Sequence, residues 1–188
     1  DTQVKVDTAV REAKNLIVRD KVDAIIGPTS SGSNLGVIEI TKENKMIHLS
    51  TIAATEKATR ERIHPYYFQL TPNSYMESIA IANYLKNLDF KTYVTIASDY
   101  EWGHSTVELL DEILGKSKPE AELIDKFWPP LKEADFSSYI TATLNKKPDV
   151  VIGIIAGSAY QTFIRQANGY DFFNRVTFVS NGFEGDVM

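Results

Sequence analysis

The 188-residue sequence contains no cysteine, which excludes disulfides and thiolate metal sites and leaves the redox compartment open. It also lacks an excess of basic residues. The 20 lysines and arginines are outnumbered by 25 acidic residues, so the formal net charge is −5 and the pI is near 5.3. Surfaces that bind nucleic acid are typically basic, so we expect no nucleic-acid partner. No apolar run is long enough to span a bilayer.

Signatures of nucleotide binding, metal binding and catalysis are missing as well. The glycine-rich stretch that begins at Gly27 does not fit the dinucleotide fingerprint, and no Walker lysine follows it. The three histidines stand far apart, without a second ligand at helical spacing. A triad of Ser31, His104 and Asp99 can be assembled on paper, but the nucleophile-elbow pattern is absent. We therefore expect a protein that is not an enzyme and holds no cofactor or metal.

Apolar strands alternate with amphipathic helices along most of the chain. Val22–Gly27 and Val150–Ile155 are unbroken apolar runs, as expected for strands that are covered on both faces of a parallel sheet. Helices of about ten to fifteen residues separate the predicted strands, a spacing typical of βαβ units. The sequence therefore predicts an α/β fold with parallel sheets and helices on both faces.

The stretch from Val22 to Thr55 contains the strongest hint of a binding site. A hydroxyl-rich loop follows the strand, and a helix is predicted over Asn34–Glu43, with Ser33 or Asn34 as its cap. The free N–H groups of a first helical turn can hold an anion such as a carboxylate. An ordinary βα turn that favours serine and glycine explains the same residues, and this stretch alone favours that interpretation, because no known anion-binding motif is present.

Ligands of parallel α/β sheets bind beyond the carboxyl ends of the strands. The candidate site is therefore the set of loops at those ends: Thr29–Ser33, Thr51–Thr55, Asp99–Trp102, Ala156–Ser158 and Ser180–Glu184. Trp102, expected in a loop before a helix that begins at His104, offers a flat apolar wall to a ligand, or packs against a helix. Glu184 can pair with a cationic group, although loop carboxylates are usually just solvated.

Several phrases of the sequence match one family together: the opening D-T-Q, VDAIIGPTSSG, MIHLSTIAAT, DYEWG, ADFSSYITATLNKKPDVVIG and FIRQANGYDFF. With them the chain resembles the periplasmic substrate-binding proteins of branched-chain amino-acid (leucine/isoleucine/valine) ABC transporters. The resemblance implies a type I periplasmic-binding-protein fold, in which two Rossmann-like α/β lobes with parallel sheets are joined by a hinge and close on a small ligand. Residues 1–71 would form part of lobe 1, without its first strand, and residues 73–188 most of lobe 2. We therefore expect a fragment of a longer chain.

The resemblance also assigns roles to individual residues. The carboxylate-binding serine of the family falls on Ser31. In the family's Ala-Ala-Thr loop, the carbonyl of Ala53 would accept from a ligand ammonium, and the hydroxyl of Thr55 would bind the ligand's polar head. The aromatic residue that covers the ligand side chain falls on Trp102.

Two positions depart from the family pattern. A tyrosine expected after the later strand is replaced by Ala156-Gly157-Ser158. The ammonium-binding glutamate of the family lies on the loop that holds Glu184, but direct alignment places Gly182 at that position. The part of the site that holds a carboxylate is therefore better supported than the part that holds an ammonium.

The resemblance implies an extracytoplasmic solute-binding protein that delivers a small carboxylated ligand to the membrane permease of an ABC importer. A branched-chain or other apolar amino acid is the leading ligand. An aromatic or aliphatic carboxylic acid or an amide is the alternative, which Trp102 and the missing tyrosine favour. A sensory receptor's ligand-binding domain is a further alternative. The implied location is periplasmic or extracellular, with a lipoprotein anchor as an option.

Overall fold

The structure is a computed structural model that describes residues 2–181. The chain forms two compact units, Asp1–Met76 and Glu77–Met188, each with its own sheet. Every strand pair in both sheets is parallel. The predicted α/β fold with parallel sheets is therefore confirmed.

The first unit is a three-stranded sheet with strand order β1-β2-β3. Helices α1 and α2 pack on one face of it, around a small core that includes Ile25 and Val37. The elements of this unit are α1 (Val6–Val18), β1 (Ala24–Ile26), α2 (Ser31–Glu43), β2 (Ile47–Ser50), α3 (Lys57–Arg60) and β3 (Tyr67–Gln69).

The second unit is a four-stranded sheet with strand order β5-β4-β6-β7. A core around Leu110 and Leu114 contains residues of α4 and α5, and a separate core around Phe136 and Phe163 contains residues of α6 and α7. Its elements are α4 (Ser74–Leu85), which begins in the first unit, β4 (Thr92–Ala97), α5 (Glu101–Ser117), β5 (Glu122–Phe127), α6 (Ser137–Lys146), β6 (Val150–Ile154), α7 (Ser158–Gly169), the 3₁₀ turn Phe172–Asn174 and β7 (Thr177–Ser180).

The expectation that both apolar strands are covered on two faces holds for only one of them. All five residues of β6 are buried, as predicted. In β1 only Ile25 is buried, and Ile26 is 71% exposed. The reason is that α1 and α2 cover one face of the first sheet, whereas Ile47 and Phe68, like Ile26, remain exposed within the described residues.

Two helices begin three residues earlier than predicted, and both shifts change the candidate site. Helix α2 begins at Ser31, and its cap is Ser30, whose hydroxyl accepts from the Ser33 N–H. The prediction of Ser33 or Asn34 as the cap is therefore wrong. Asn34 instead lies buried inside the helix, where its side-chain amide donates to the Tyr67 hydroxyl at 3.0 Å.

Helix α5 begins at Glu101 instead of His104, which places Trp102 in a first helical turn and not in a loop. Gly103 permits this early start. A Cβ at this position would lie 2.1 Å from the carbonyl oxygen of Ser98, so only glycine lets the turn approach the end of β4 so closely.

Candidate ligand-binding loops

The loops that follow β1 and β2 are joined by a hydrogen bond in the first unit. The two strands are parallel neighbours, so both loops lie at the same edge of the sheet. The Ala54 N–H donates to the Ser31 hydroxyl at 3.2 Å. A serine hydroxyl can accept one hydrogen bond and donate another. Ser31 accepts from Ala54, so its own proton can still be donated to a ligand. Ser31 is only 1% exposed, so a ligand must reach into the turn to use that proton.

The loop Ala53–Thr55 is held in place by serine side chains and backbone groups around it. The Ser50 hydroxyl donates to the Ala53 carbonyl at 3.2 Å. The Ser74 N–H donates to the Ala54 carbonyl at 2.6 Å, and the Ser74 hydroxyl accepts from the Glu56 N–H at 3.0 Å. A carbonyl oxygen has two lone pairs, so Ala53 can accept a second hydrogen bond. The structure thus brings Ser31, Ala53 and Thr55 together, while their role in binding stays a prediction.

A chain of hydrogen bonds through two buried histidines ends at the loop that precedes Ser31. The Tyr66 N–H donates to Nδ1 of His64, whose Nε2 lies 3.3 Å from the Thr41 hydroxyl. That hydroxyl also lies 3.3 Å from Nδ1 of His48, and His48 Nε2 lies 2.6 Å from the Gly27 carbonyl. Both nitrogens of each ring therefore have a hydrogen-bond partner, and the Thr41 hydroxyl also lies 3.2 and 3.0 Å from the Val37 and Ile38 carbonyls. Burial lowers the pKa of His48 and of His64.

Acidification is therefore expected to destabilise the first unit. A lowered pKa in the folded state means that the unfolded chain binds more protons near pH 6. The stabilisation from neutral His48 and His64 is present above the unfolded pKa of about 6.5 and is lost progressively as the pH falls below it, towards the lowered pKa values of the folded state. The slope is at most about 1.4 kcal/mol per pH unit for each histidine.

Hydrogen exchange of the amides of β1 and β2 at pH 7.5 and 5.5 measures this loss. His48→Gln should weaken the pH dependence, whereas His104→Gln, in the other unit, should leave it intact. Equal protection at the two pH values would contradict the assignment of neutral, buried rings.

In the second unit, the carboxylate of Glu77 accepts hydrogen bonds from two of the predicted loops, the one that contains Trp102 and the one that contains Asn181. The indole N–H of Trp102 donates to Oε2 of Glu77 at 2.8 Å, and the side-chain amide of Asn181 donates to the same oxygen at 3.1 Å. Trp102 follows β4 and Asn181 follows β7, with β6 between these strands in the parallel sheet. The contact therefore lies at the carboxyl edge of this sheet, where ligands of such sheets bind.

Glu77 is the residue that the sequence reasoning missed. Burial raises the pKa of its carboxyl group, and the hydrogen bonds from Trp102 and Asn181 oppose that shift. Burial also raises the pKa of Tyr100, and the charge of Glu77 adds to this rise. An acidic residue in the first turn of a helix is ordinary, because it complements the helix dipole, so the sequence carried only a weak signal for Glu77.

The residues of the triad considered in the sequence, Ser31, His104 and Asp99, are divided between the two units. His104 Nε2 lies 2.8 Å from Asp99 Oδ1, and the His104 ring stacks on Trp128 at 4.0 Å, all within the second unit. Ser31 lies in the first unit, bonded to Ala54, so neither unit by itself assembles the paper triad. Glu184 lies outside the described residues.

The loop after β6 consists of small residues. The Ala156 N–H donates to the Ser98 hydroxyl at 3.0 Å, which fixes this loop to the end of β4. Gly157 has a φ of 60°, and a Cβ placed on it would meet no atom within 4 Å. Among residues 2–181, no atom therefore occupies the space directly beside the Gly157 Cα, in the loop where the resembled family carries a tyrosine.

Metal clusters and membrane spans are not found in the part of the chain that the structure describes. No group of three or more histidine or acidic side chains among residues 2–181 is placed to hold a metal ion. None of the described helices has the length and apolar character needed to cross a bilayer.

Comparison with known proteins gives a family and a fold. The model of the family described as periplasmic binding protein matches residues 1–188. A solute-binding protein of an ABC transporter from Rhodopseudomonas palustris BisB5, solved with 3,4-dihydroxybenzoic acid, is 24% identical with a TM-score of 0.86. That match covers 100% of this chain and 50% of that protein. A leucine-binding protein from Thermotoga maritima MSB8 is 19% identical with a TM-score of 0.82, over 96% of this chain and 50% of that protein.

A curated relative comes from plants. Glutamate receptor 3.4 of Arabidopsis thaliana is 28% identical over 102 residues, which are 54% of this chain and 10% of the receptor. The chain thus spans about half the length of the two similar solved proteins and a tenth of this receptor. At these levels of identity, the solved structures show the type I periplasmic-binding-protein fold and not the ligand.

Proposed function

Since this chain belongs to the periplasmic binding protein family, we propose that it acts within an extracytoplasmic solute-binding protein of an ABC importer. Such a protein captures a small ligand, without turnover, and delivers it to a membrane permease. The family match over residues 1–188 is the observation that carries the proposal. The solved proteins with this fold from Rhodopseudomonas palustris and Thermotoga maritima support it, because both are described as binding proteins.

The ligand that we propose carries a carboxylate, held by the first unit. Ser31 is the first residue of the 13-residue helix α2, so its hydroxyl lies at the positive end of the helix dipole. Hydroxyl and backbone N–H groups can neutralise a carboxylate without a buried counter-charge. This arrangement avoids the cost of an unpaired buried ion when the site is empty.

We assign the other contacts of the ligand to the residues that the resemblance names. The Ala53 carbonyl and the Thr55 hydroxyl would bind its polar head, and Trp102 would cover its side chain. Glu184, on the final loop, is a further candidate. A branched-chain or other apolar amino acid is the leading ligand, and residues 1–71 and 73–188 would belong to the first and second lobes of the family.

A second candidate is an aromatic or aliphatic carboxylic acid. The small residues of the loop Ala156–Ser158 favour it, because no tyrosine ring of this loop takes up room beside the ligand. The similar protein from Rhodopseudomonas palustris was solved with 3,4-dihydroxybenzoic acid. A sensory ligand-binding domain has weaker support, from the partial similarity to a plant glutamate receptor.

A thermal-shift screen of the full-length protein separates these candidates. The twenty amino acids form one arm, and benzoate, hydroxybenzoates and short aliphatic acids form the other. A rise in melting temperature with members of one arm identifies the ligand class, since a ligand that binds only the native state stabilises it. If no compound of either arm raises the melting temperature, the proposed capture of a small carboxylate is wrong.

Replacing Ser31 with alanine should weaken binding of the ligand found by that screen by roughly 1–3 kcal/mol, because it removes a hydrogen bond to a charged group. This corresponds to about a 5- to 150-fold rise in Kd, measured by calorimetry. Ser33→Ala is the matched control. Ser33 lies in the same helical turn, and its buried hydroxyl has no hydrogen-bond partner among the described residues. An unchanged Kd in Ser31→Ala would remove Ser31 from the site.

A further inference from the structure

We propose that Glu77 is a ligand-binding residue that recognises a positively charged nitrogen, an ammonium group, on the ligand. The inference rests on the proposed function and narrows its ligand class to amines. It also places the ammonium-binding carboxylate on α4, whereas the family resemblance places one on the loop that holds Glu184.

The carboxylate of Glu77 is held in one orientation by two donors. Trp102, in the first turn of α5, and Asn181, directly after β7, both donate to Oε2, at 2.8 and 3.1 Å. Two bonds to one oxygen fix the plane of the carboxylate and leave its other oxygen unengaged. Within residues 2–181, no side chain or backbone group donates a hydrogen bond to Oε1 of Glu77. This oxygen is therefore available to a ligand.

The negative charge of Glu77 is not balanced by a cation in the described part of the chain. No lysine, arginine or histidine among residues 2–181 forms an ion pair with it, and its two partners are neutral N–H groups. A partly buried carboxylate without a counter-charge is costly. The rise that burial causes in the pKa of Glu77 has the same physical origin. A ligand with a positive charge would offset this cost, whereas a second carboxylate would increase it.

Two aromatic rings complete the surroundings of this carboxylate. The rings of Tyr100 and Trp102 lie 5.9 Å apart at a tilt of 45°, and the charge of Glu77 reaches the Tyr100 hydroxyl strongly enough to raise its pKa further. The indole of Trp102 meets the carboxylate through its N–H edge. Aromatic neighbours keep the carboxylate partly out of water, where pairing with a charged ligand group gains more than it does in solvent.

The experiment compares a ligand with and without its ammonium group in the full-length protein. The probes are L-leucine and 4-methylpentanoate, which share a carboxylate and an isobutyl chain and differ in the amino group. The variant is Glu77→Gln, whose amide oxygen can still accept from Trp102 and Asn181 but carries no charge. Glu108→Gln, on the exposed side of α5, is the control for a changed net charge.

We expect the wild type to bind leucine at least tenfold more tightly than 4-methylpentanoate. In Glu77→Gln this ratio should fall to near one, through a loss of leucine affinity alone. The tryptophan emission and the urea midpoint should remain those of the wild type, which shows that Trp102 is still in place. Glu108→Gln should keep the wild-type ratio.

Three outcomes overturn the inference. If Glu77→Gln keeps the wild-type ratio, Glu77 only positions Trp102. If the wild type binds 4-methylpentanoate or benzoate but not leucine, the proposed function stands and the ammonium site is wrong. If no carboxylate binds at all, the proposed function fails and the inference fails with it.

Discussion

Replacing Gly103 with alanine is expected to destabilise the second unit by about 3 kcal/mol or more, at the upper end of what overpacking costs. The added Cβ would lie 2.1 Å from the carbonyl oxygen of Ser98 and 3.1 Å from its carbonyl carbon. The clash is with backbone, so no side-chain rotation relieves it. Ser98 cannot move away easily, because its N–H donates to the Ile154 carbonyl and its hydroxyl accepts from Ala156.

Urea unfolding followed by tryptophan fluorescence measures this effect selectively. Both tryptophans of the chain, Trp102 and Trp128, lie in the second unit, so their emission reports on that unit alone. Gly115→Ala is the matched control in the same helix, where a Cβ meets no atom within 4 Å. It should stabilise the unit by about 0.5–1 kcal/mol, the usual gain for alanine over glycine in a helix. Equal midpoints for the two variants would contradict the close approach at Gly103.

Strand β6 was predictable because its signal is local. It spans Val150–Ile154, one residue less than the predicted apolar run Val150–Ile155. The burial of β6 on both faces also follows from its unbroken apolar run, since it lies between β4 and β7 in the sheet.

The starts of α2 and α5 were missed for different reasons. Ser30 and Asn34 are both good capping residues, and the structure uses Ser30, whereas the Asn34 amide donates to Tyr67, 33 residues later. Glycine usually weakens a helix, so Gly103 was read as lying before the helix. The structure requires glycine there because a Cβ would clash with the Ser98 carbonyl. Local preference therefore favoured starts three residues late at both helices, and the same error placed Trp102 in a loop.

Only part of the candidate site could be read from the sequence. The loops that hold Ser31 and Ala54 were predicted to lie at one edge of a parallel sheet, because each follows a strand, and a hydrogen bond joins the two residues. Glu77 lies on a helix and 104 residues from Asn181, so no strand-end rule connects the two. The fold alone brings them to one edge of the sheet.

Phe163→Ala is expected to cost about 3–5 kcal/mol in the second unit, as large-to-small changes at buried aromatic positions do. Phe163 is fully buried, with its ring 5.4–5.6 Å from the rings of Phe136, Phe172 and Phe178. The cavity should not collapse readily. Phe178 is held against Gly153, where even a Cβ would come within 2.4 Å of its ring, so it has little freedom to refill the space.

The controls for this variant separate stability from binding. Tyr170→Ala, next to the end of the same helix and 40% exposed, should change stability by no more than about 0.5 kcal/mol. Phe136, Phe172 and Phe178, the aromatic partners of Phe163 among the described residues, lie outside the candidate loops, so the folded fraction of Phe163→Ala should bind ligand with the wild-type Kd. Ser31→Ala should show the reverse profile, with a raised Kd and a nearly unchanged urea midpoint of the tryptophan signal. If Phe163→Ala instead raised Kd at a temperature where it is folded, α7 would have to position the loop at Gly157, and binding could no longer be assigned to the strand-end residues alone.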